Sequence, residues 1–169
     1  MSNELLQHSL FYGAILSVAM SVTFLILLWI NPEMWLDDYP PDIQARFGEM
    51  SEKAKRQKRI AAVPVLAFLF GTVVVAAVRW VQAHSGQVTF GDIFWSSFLI
   101  FNLFNLVDLL VLDWLIFVTI QPKIAILPGT EGAAGYKNYA FHFFASLKGV
   151  GLSLVVSGLV AGVMWLVAA

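Results

Sequence analysis

The chain has 169 residues, of which 59% are hydrophobic and only 12% charged, and its mean hydropathy is +0.78. Soluble domains hold about 45–50% apolar and about 25% charged residues, so this balance excludes an ordinary soluble globular protein and makes lipid the expected solvent. The net charge of −1 implies no nucleic-acid partner, and the lack of cysteine excludes disulfides, thiolate metal sites and a cysteine nucleophile.

Four stretches reach the roughly 20 consecutive apolar residues that cross a hydrocarbon core of about 30 Å. They lie at about residues 10–30, 60–81, 93–120 and 150–168. Leu10–Ile30 and Ala61–Val78 are apolar almost all round, without the polar stripe of a soluble bundle. The expected fold is therefore an all-α integral membrane four-helix bundle, a single transmembrane domain over residues 1–169. Met1–Leu10 contains no Lys or Arg, and a run of about 21 apolar residues exceeds the 7–15 of a signal-peptide core. The first run is expected to be kept as a span.

Charge predicts the orientation. Arg46, Lys53, Lys55, Arg56, Lys58 and Arg59 lie between the first two spans, and Lys123, Lys137 and Lys148 between the last two, leaving only Arg79 for the other side. The positive-inside rule then places both of these loops in the cytoplasm and both termini outside, with a bacterial inner membrane as the simplest address. Trp29, Trp35, Trp80, Trp95, Trp114 and Trp165 fall mostly near span ends, as anchors do.

After the first span, Asn31-Pro32 breaks the helix and Pro40-Pro41 delays its return. A new helix is expected from Asp42, its N-cap candidate, with Ile43, Phe47, Met50 and Ala54 on one face. Ending in Lys-Arg-Gln-Lys-Arg, this segment reads either as an interfacial helix on the cytoplasmic leaflet, drawing anionic lipids, or as a topology determinant. Pro64 is expected in the first turn of the second span, and His84 to Asp92 as a tight external turn. In the fourth span Gly149, Ser153, Ser157 and Ala161 recur every fourth residue, beside Gly158 and Gly162 as a second small-residue pair. One ridge can pack inside the bundle and the other against a second copy, which makes a homodimer an expectation.

The third span carries the chemistry of greatest interest. Asn102, Asn105, Asp108 and Asp113 interrupt an otherwise apolar run. A carboxylate at bilayer depth costs roughly 2.5 to 3.5 kcal/mol on insertion scales, so it needs a partner, water or a proton. At about 100° per residue, Asn102, Asn105 and Asp113 share a face to within about 80°, while Asp108 points about 140° from Asp113. The two carboxylates are expected to act separately. Asp108 reads either as a protonatable or ion-coordinating group in a cavity, aided by Asn105, or as an interhelical hydrogen-bonding group for a serine or threonine of spans 1 or 4. Asp113 is expected to pair with a basic residue such as Lys123, Lys148 or Arg59, or to contact a helix cap.

Between spans 3 and 4 the segment Gln121–Phe144 crowds Lys123, Thr130, Glu131, Tyr136, Lys137, Tyr139 and His142 around a Pro-Gly-Thr-Glu-Gly turn. Together with Lys53, Lys55, Arg56, Lys58 and Arg59, these groups would suit a phosphate or lipid head group. A structured connector is the competing reading. The stretch lacks the spacing of a nucleotide-binding P-loop. Asp113-Trp-Leu-Ile-Phe, Pro122-Lys123, Leu127-Pro-Gly-Thr-Glu-Gly132 and Tyr136-Lys137 resemble a group of small, functionally uncharacterised bacterial four-span membrane proteins. The resemblance covers mainly spans 3 to 4 and implies no activity.

His8, His84 and His142 are too scattered to predict a metal or haem site, although His8, His84 and Asp92 share the outer side. No metal and no cofactor is expected. The leading functional reading is a transporter or channel-like protein in which Asp108, Asn102 and Asn105 line a path for a proton, cation or small solute. A second is a non-enzymatic lipid-binding or accessory protein acting through its basic loops. A third is a membrane enzyme on lipid head groups, with Glu131 and His142 as acid and base.

Overall fold

The computed structural model describes residues 2–85 and 87–168. Among them the regular structure is entirely helical, and four helices are long and apolar enough to cross a membrane. These are α1 (Asn3–Ile30), α3 (Glu52–Ala83), α4 (Phe90–Val107) with its unbroken continuation to Ile120, and α5 (Tyr139–Ala168). A short helix α2 (Pro41–Phe47) lies between α1 and α3.

Local chemistry sets the helix starts. The Ser2 hydroxyl accepts from Leu5 N at 3.1 Å and the Ser51 hydroxyl from Ala54 N at 3.2 Å, capping α1 and α3. Thr89 and Asp92 form a reciprocal capping box for α4, so Asp92 is engaged as a cap beside a turn whose Gly86 lies outside the described residues. Because α3 starts at Glu52, Pro64 stands well inside it, not in a first turn; the Ile60 carbonyl has no proline N–H to accept there.

The helices meet through small and aromatic side chains. α4 touches α1, α3 and α5, and Leu16, Met20, Val73, Ile100 and Phe101 form a core at their meeting point. A Cβ on Gly13 would stand 2.9 Å from Leu103 Cδ2, and one on Gly149 would stand 2.8 Å from Asn105 Oδ1. Both glycines let a neighbouring helix approach closely. Away from these seams the helices present apolar surface, with Leu159 at 65% and Val63 at 70% exposure. In water such a surface would be an aggregation hazard; in lipid it is the ordinary exterior. Trp80 departs from the outward anchoring expected of it, being buried between His8 and His84 at the end that carries the chain termini.

The region between α1 and α3 differs from the single helix the apolar spacing predicts. Pro32–Asp38 forms a 3-10 helix, α2 ends at Gly48 with φ of 90°, and the chain is extended at Ser51 before α3. Asp42 is not the N-cap of α2; Pro40 is, and the Asp42 carboxylate instead accepts from Gly135 N at 2.8 Å. Ile43, Met50 and Ala54 still share a direction, but they are buried against Met34, Leu36, Leu127 and Ala133. Most of the apolar face is therefore covered by the protein's other long loop, with Phe47 left half-buried.

Candidate functional site

Where α4 reaches Asp108 its hydrogen-bonding register changes, and Asp108–Ile120 is a π-helix. In an α-helix residues five apart diverge. In a π-helix each turn is closed by an i to i+5 bond, so residues five apart fall on nearly the same side. Gln121 N donates to Ile116 O at 2.8 Å and Thr119 Oγ1 to Trp114 O at 2.7 Å, both across five residues. Asp108 and Asp113 are five apart as well. The angular separation expected for an α-helix does not apply, and both carboxylates line one cavity.

This cavity has a volume of about 410 Å³. Its walls are the end of α1, the π-helix and the start of α5, and its roof is the two loops. The roof is fastened by directed bonds. Tyr39 OH donates to Ala125 O at 2.8 Å, Gly135 N to Asp42, and Gln121 Nε2 to Tyr136 O at 2.8 Å. Tyr136 OH accepts from Leu127 N at 2.9 Å and lies 2.6 Å from the buried Thr130 hydroxyl. These bonds use the polar ends of the loop residues internally, as a structured connector would.

Asp113 pairs with His142, whose Nδ1 stands 3.0 Å from Asp113 Oδ1 with both side chains largely buried. The partner is thus neither Lys123, Lys148 nor Arg59. The match depends on α5 starting at Tyr139, which brings His142 onto the helix facing the π-segment. Asp108 has no hydrogen-bond or ion-pair partner among the described residues, and none of the serines considered for it bonds it, the buried hydroxyls of Ser21 and Ser157 having no partner at all. Ser17 donates to Gly13 O and Ser153 to Val150 O. At the rim, Lys58 Nζ lies 3.0 Å from Asp37 and 3.8 Å from Asp38. Desolvation pushes the Asp38 carboxyl above its ordinary range against the opposing pull of Lys58; with 64% of the side chain exposed, the effect is modest.

The remaining candidates separate from this site. Asn102 Nδ2 donates to Ser153 Oγ at 2.9 Å and Asn105 Nδ2 to Ser146 Oγ at 3.0 Å, so both amides tie α4 to α5 and neither lines the cavity. Glu131 is exposed and accepts from Gly129 N in its own turn, apart from His142, so the structure does not bring this acid and base together. Lys53 and Arg56 border a shallow depression with Glu52, Gln57 and Ile60 on the outer side of α3. Lys55 pairs with Glu52 at 2.8 Å, Arg59 Nε donates to Lys55 O, and Lys123 and Lys137 are exposed. At the opposite end His8 Nε2 is 3.0 Å from Ala76 O, and among the described residues it bonds no carboxylate, while His84 lies 3.8 Å from Glu4.

Phe24, Asp37, Asp38 and Tyr39 line the cavity although the sequence did not single them out, as does Trp35, expected only as an interfacial anchor. The signal available was the acidic pair held between two aromatic residues, Trp35 and Tyr39. Comparison with protein-family models, curated proteins and solved structures found no match to this chain.

Proposed function

We propose that the protein is a small transporter or channel-like membrane protein in which Asp108 is the coordinating or protonatable group for a proton or cation. The observation that carries this reading is a carboxylate without a partner, in the wall of a 410 Å³ cavity between apolar helices. An intramembrane carboxylate is costly and is kept where it faces water, a partner or a substrate. Asp113 and His142 form a second, neighbouring protonatable pair, so a proton or cation arriving from the loop side meets Asp37 and Asp38 first and then the two deeper carboxylates. Asn102 and Asn105 serve the pathway by holding α4 against α5. In this reading the loops face the cytoplasm, the termini face outward, the four long helices form a bundle, and the membrane is a bacterial inner membrane.

The test is flux of protons and monovalent cations into liposomes, wild type beside Asp108→Asn, with folding of both checked by size exclusion. Wild-type flux lost in Asp108→Asn is the expected result. Equal flux in the two proteins sinks the proposal.

The exposed Lys53 and Arg56 favour a second reading, an accessory protein that holds anionic lipid at the basic end of α3. It predicts that liposome binding by a peripheral assay of head-group preference is lost when Lys53, Arg56 and Arg59 are neutralised, with Asp108→Asn silent. A self-partner also has support: Ser157 and Ala161 are buried while a Cβ on Gly158 or Gly162 would meet nothing within 4 Å, leaving a small-residue ridge on the outer face of α5. Crosslinking in membranes is expected to trap a homodimer that Gly158→Leu and Gly162→Leu abolish; monomers only, in both, would exclude it.

A further inference from the structure

We propose that the cavity's substrate is a small organic cation, an amine or quaternary ammonium with an apolar body, and not a bare inorganic ion. This inference rests on reading the cavity as the cation's site. Its basis is the pairing of one free carboxylate with aromatic walls. Phe24, Trp35, Tyr39, Phe117, Tyr136 and Phe141 all line the same space. The two tyrosine hydroxyls are bonded to the roof, to Ala125 O in one case and to Leu127 N and Thr130 in the other, which leaves ring surface and not hydroxyl oxygen as what these residues can offer.

The charges sort themselves in the same sense. Four carboxylates line the cavity, Asp37, Asp38, Asp108 and Asp113. Lys58 answers the first two, His142 answers Asp113, and Lys148 lies exposed at the wall. One lysine against two rim carboxylates leaves an excess negative charge there, and Asp108 is the one of the four with no hydrogen-bond or ion-pair partner among the described residues. A bare metal ion asks for several oxygens converging at short range. Among the described residues no three His, Asp or Glu side chains converge to hold one. An ammonium with methyl or methylene groups asks for less: one carboxylate at a distance and aromatic faces for its polarised carbon shell. A cavity of about 410 Å³ is also much larger than a dehydrated inorganic ion requires and lies within the range of small-molecule sites.

The experiment uses the full chain in dodecylmaltoside, a detergent without any ammonium group, titrated with benzyltrimethylammonium and with its uncharged isostere neopentylbenzene by calorimetry. Expected is saturable binding of the cation, at least about tenfold tighter than the isostere and weakened at least about tenfold by Asp108→Asn. Trp35→Leu, at the other side of the cavity, should weaken the same cation if Asp108→Asn does not fold. Equal binding of the two compounds, or affinity unchanged in folded Asp108→Asn, overturns the inference. The two proposals fail separately. Proton or potassium flux without benzyltrimethylammonium binding removes the organic cation and leaves the pathway; binding with no flux of any ion supports the site and removes transport.

Discussion

Gly135→Val is expected to destabilise the protein by about 3–5 kcal/mol, and Gly135→Ala by only somewhat less. A Cβ at this position would overlap Asp42 Oδ1 and stand 2.8 Å from Pro40 Cβ. Neither neighbour can yield cheaply, because Pro40 is backbone-locked at the start of α2 and the Asp42 carboxylate is held by Gly135 N itself at 2.8 Å. The side chain therefore both overpacks the contact, at about 1–3 kcal/mol, and breaks a hydrogen bond to a charged group, at about 1.5–3 kcal/mol. At about 2–4 °C per kcal/mol, the thermal midpoint in detergent should fall by roughly 6–20 °C. Gly151→Ala, inside α5 where a Cβ meets nothing within 4 Å, is the control for added bulk and should not lower the midpoint, since alanine favours a helix over glycine. A Gly135→Val midpoint within about 2 °C of wild type would mean that the two loops are not locked together at this point.

Removing His142 should be the second severe change. His142→Ala leaves the Asp113 carboxylate largely buried and without its partner 3.0 Å away. Breaking such a pair by deleting one member costs about 3–5 kcal/mol, most of it the penalty of the stranded charge. Deleting both members removes that penalty. The double variant Asp113→Ala with His142→Ala is thus expected to be more stable than His142→Ala alone, a non-additivity that unfolding measurements on the four-member cycle would read directly. Asp113→Asn keeps an oxygen that accepts from His142 Nδ1 and should cost about 1 kcal/mol. Additive losses across the cycle would show that the pair contributes no coupling.

The four long helices were legible in the sequence because span length and hydropathy are local properties, written in each run without reference to its neighbours. So were the polar positions of α4. What they do was not legible, for three separate physical reasons. The change from α to π register at Asp108 has no marker in Val-Asp-Leu-Leu-Val-Leu-Asp, which holds no proline or glycine and whose two aspartates interrupt the apolar run in either geometry. It was the assumed α-helical rotation that set Asp108 and Asp113 apart. His142 escaped notice as the partner of Asp113 because the fourth span was read from its apolar stretch alone, starting at Val150 and not at Tyr139. A trace existed: the small-residue ridge of Gly149, Ser153 and Ser157 continues upstream through Ser146 to His142 at helical spacing, so one polar stripe marks the face turned to α4. Finally, Ile43, Met50 and Ala54 were read correctly as a common apolar direction, but amphipathicity does not say whether lipid or protein covers it. Leu127 and Ala133, which do, are more than seventy residues further along the chain.

The π-helix has a consequence for how the third span fits its bilayer. Written as an α-helix, Phe90–Ile120 with its 31 residues would be about 46 Å long, against a hydrocarbon core of about 30 Å. A wider coil uses more residues for each ångström of rise, so thirteen residues in this register shorten the rod without steep tilting or a break in the chain. Thickness matching and the alignment of Asp108 with Asp113 are therefore one geometric property: a membrane or a mutation that stretched this segment back to the narrower coil would at once overfill the bilayer and turn the two carboxylates away from each other.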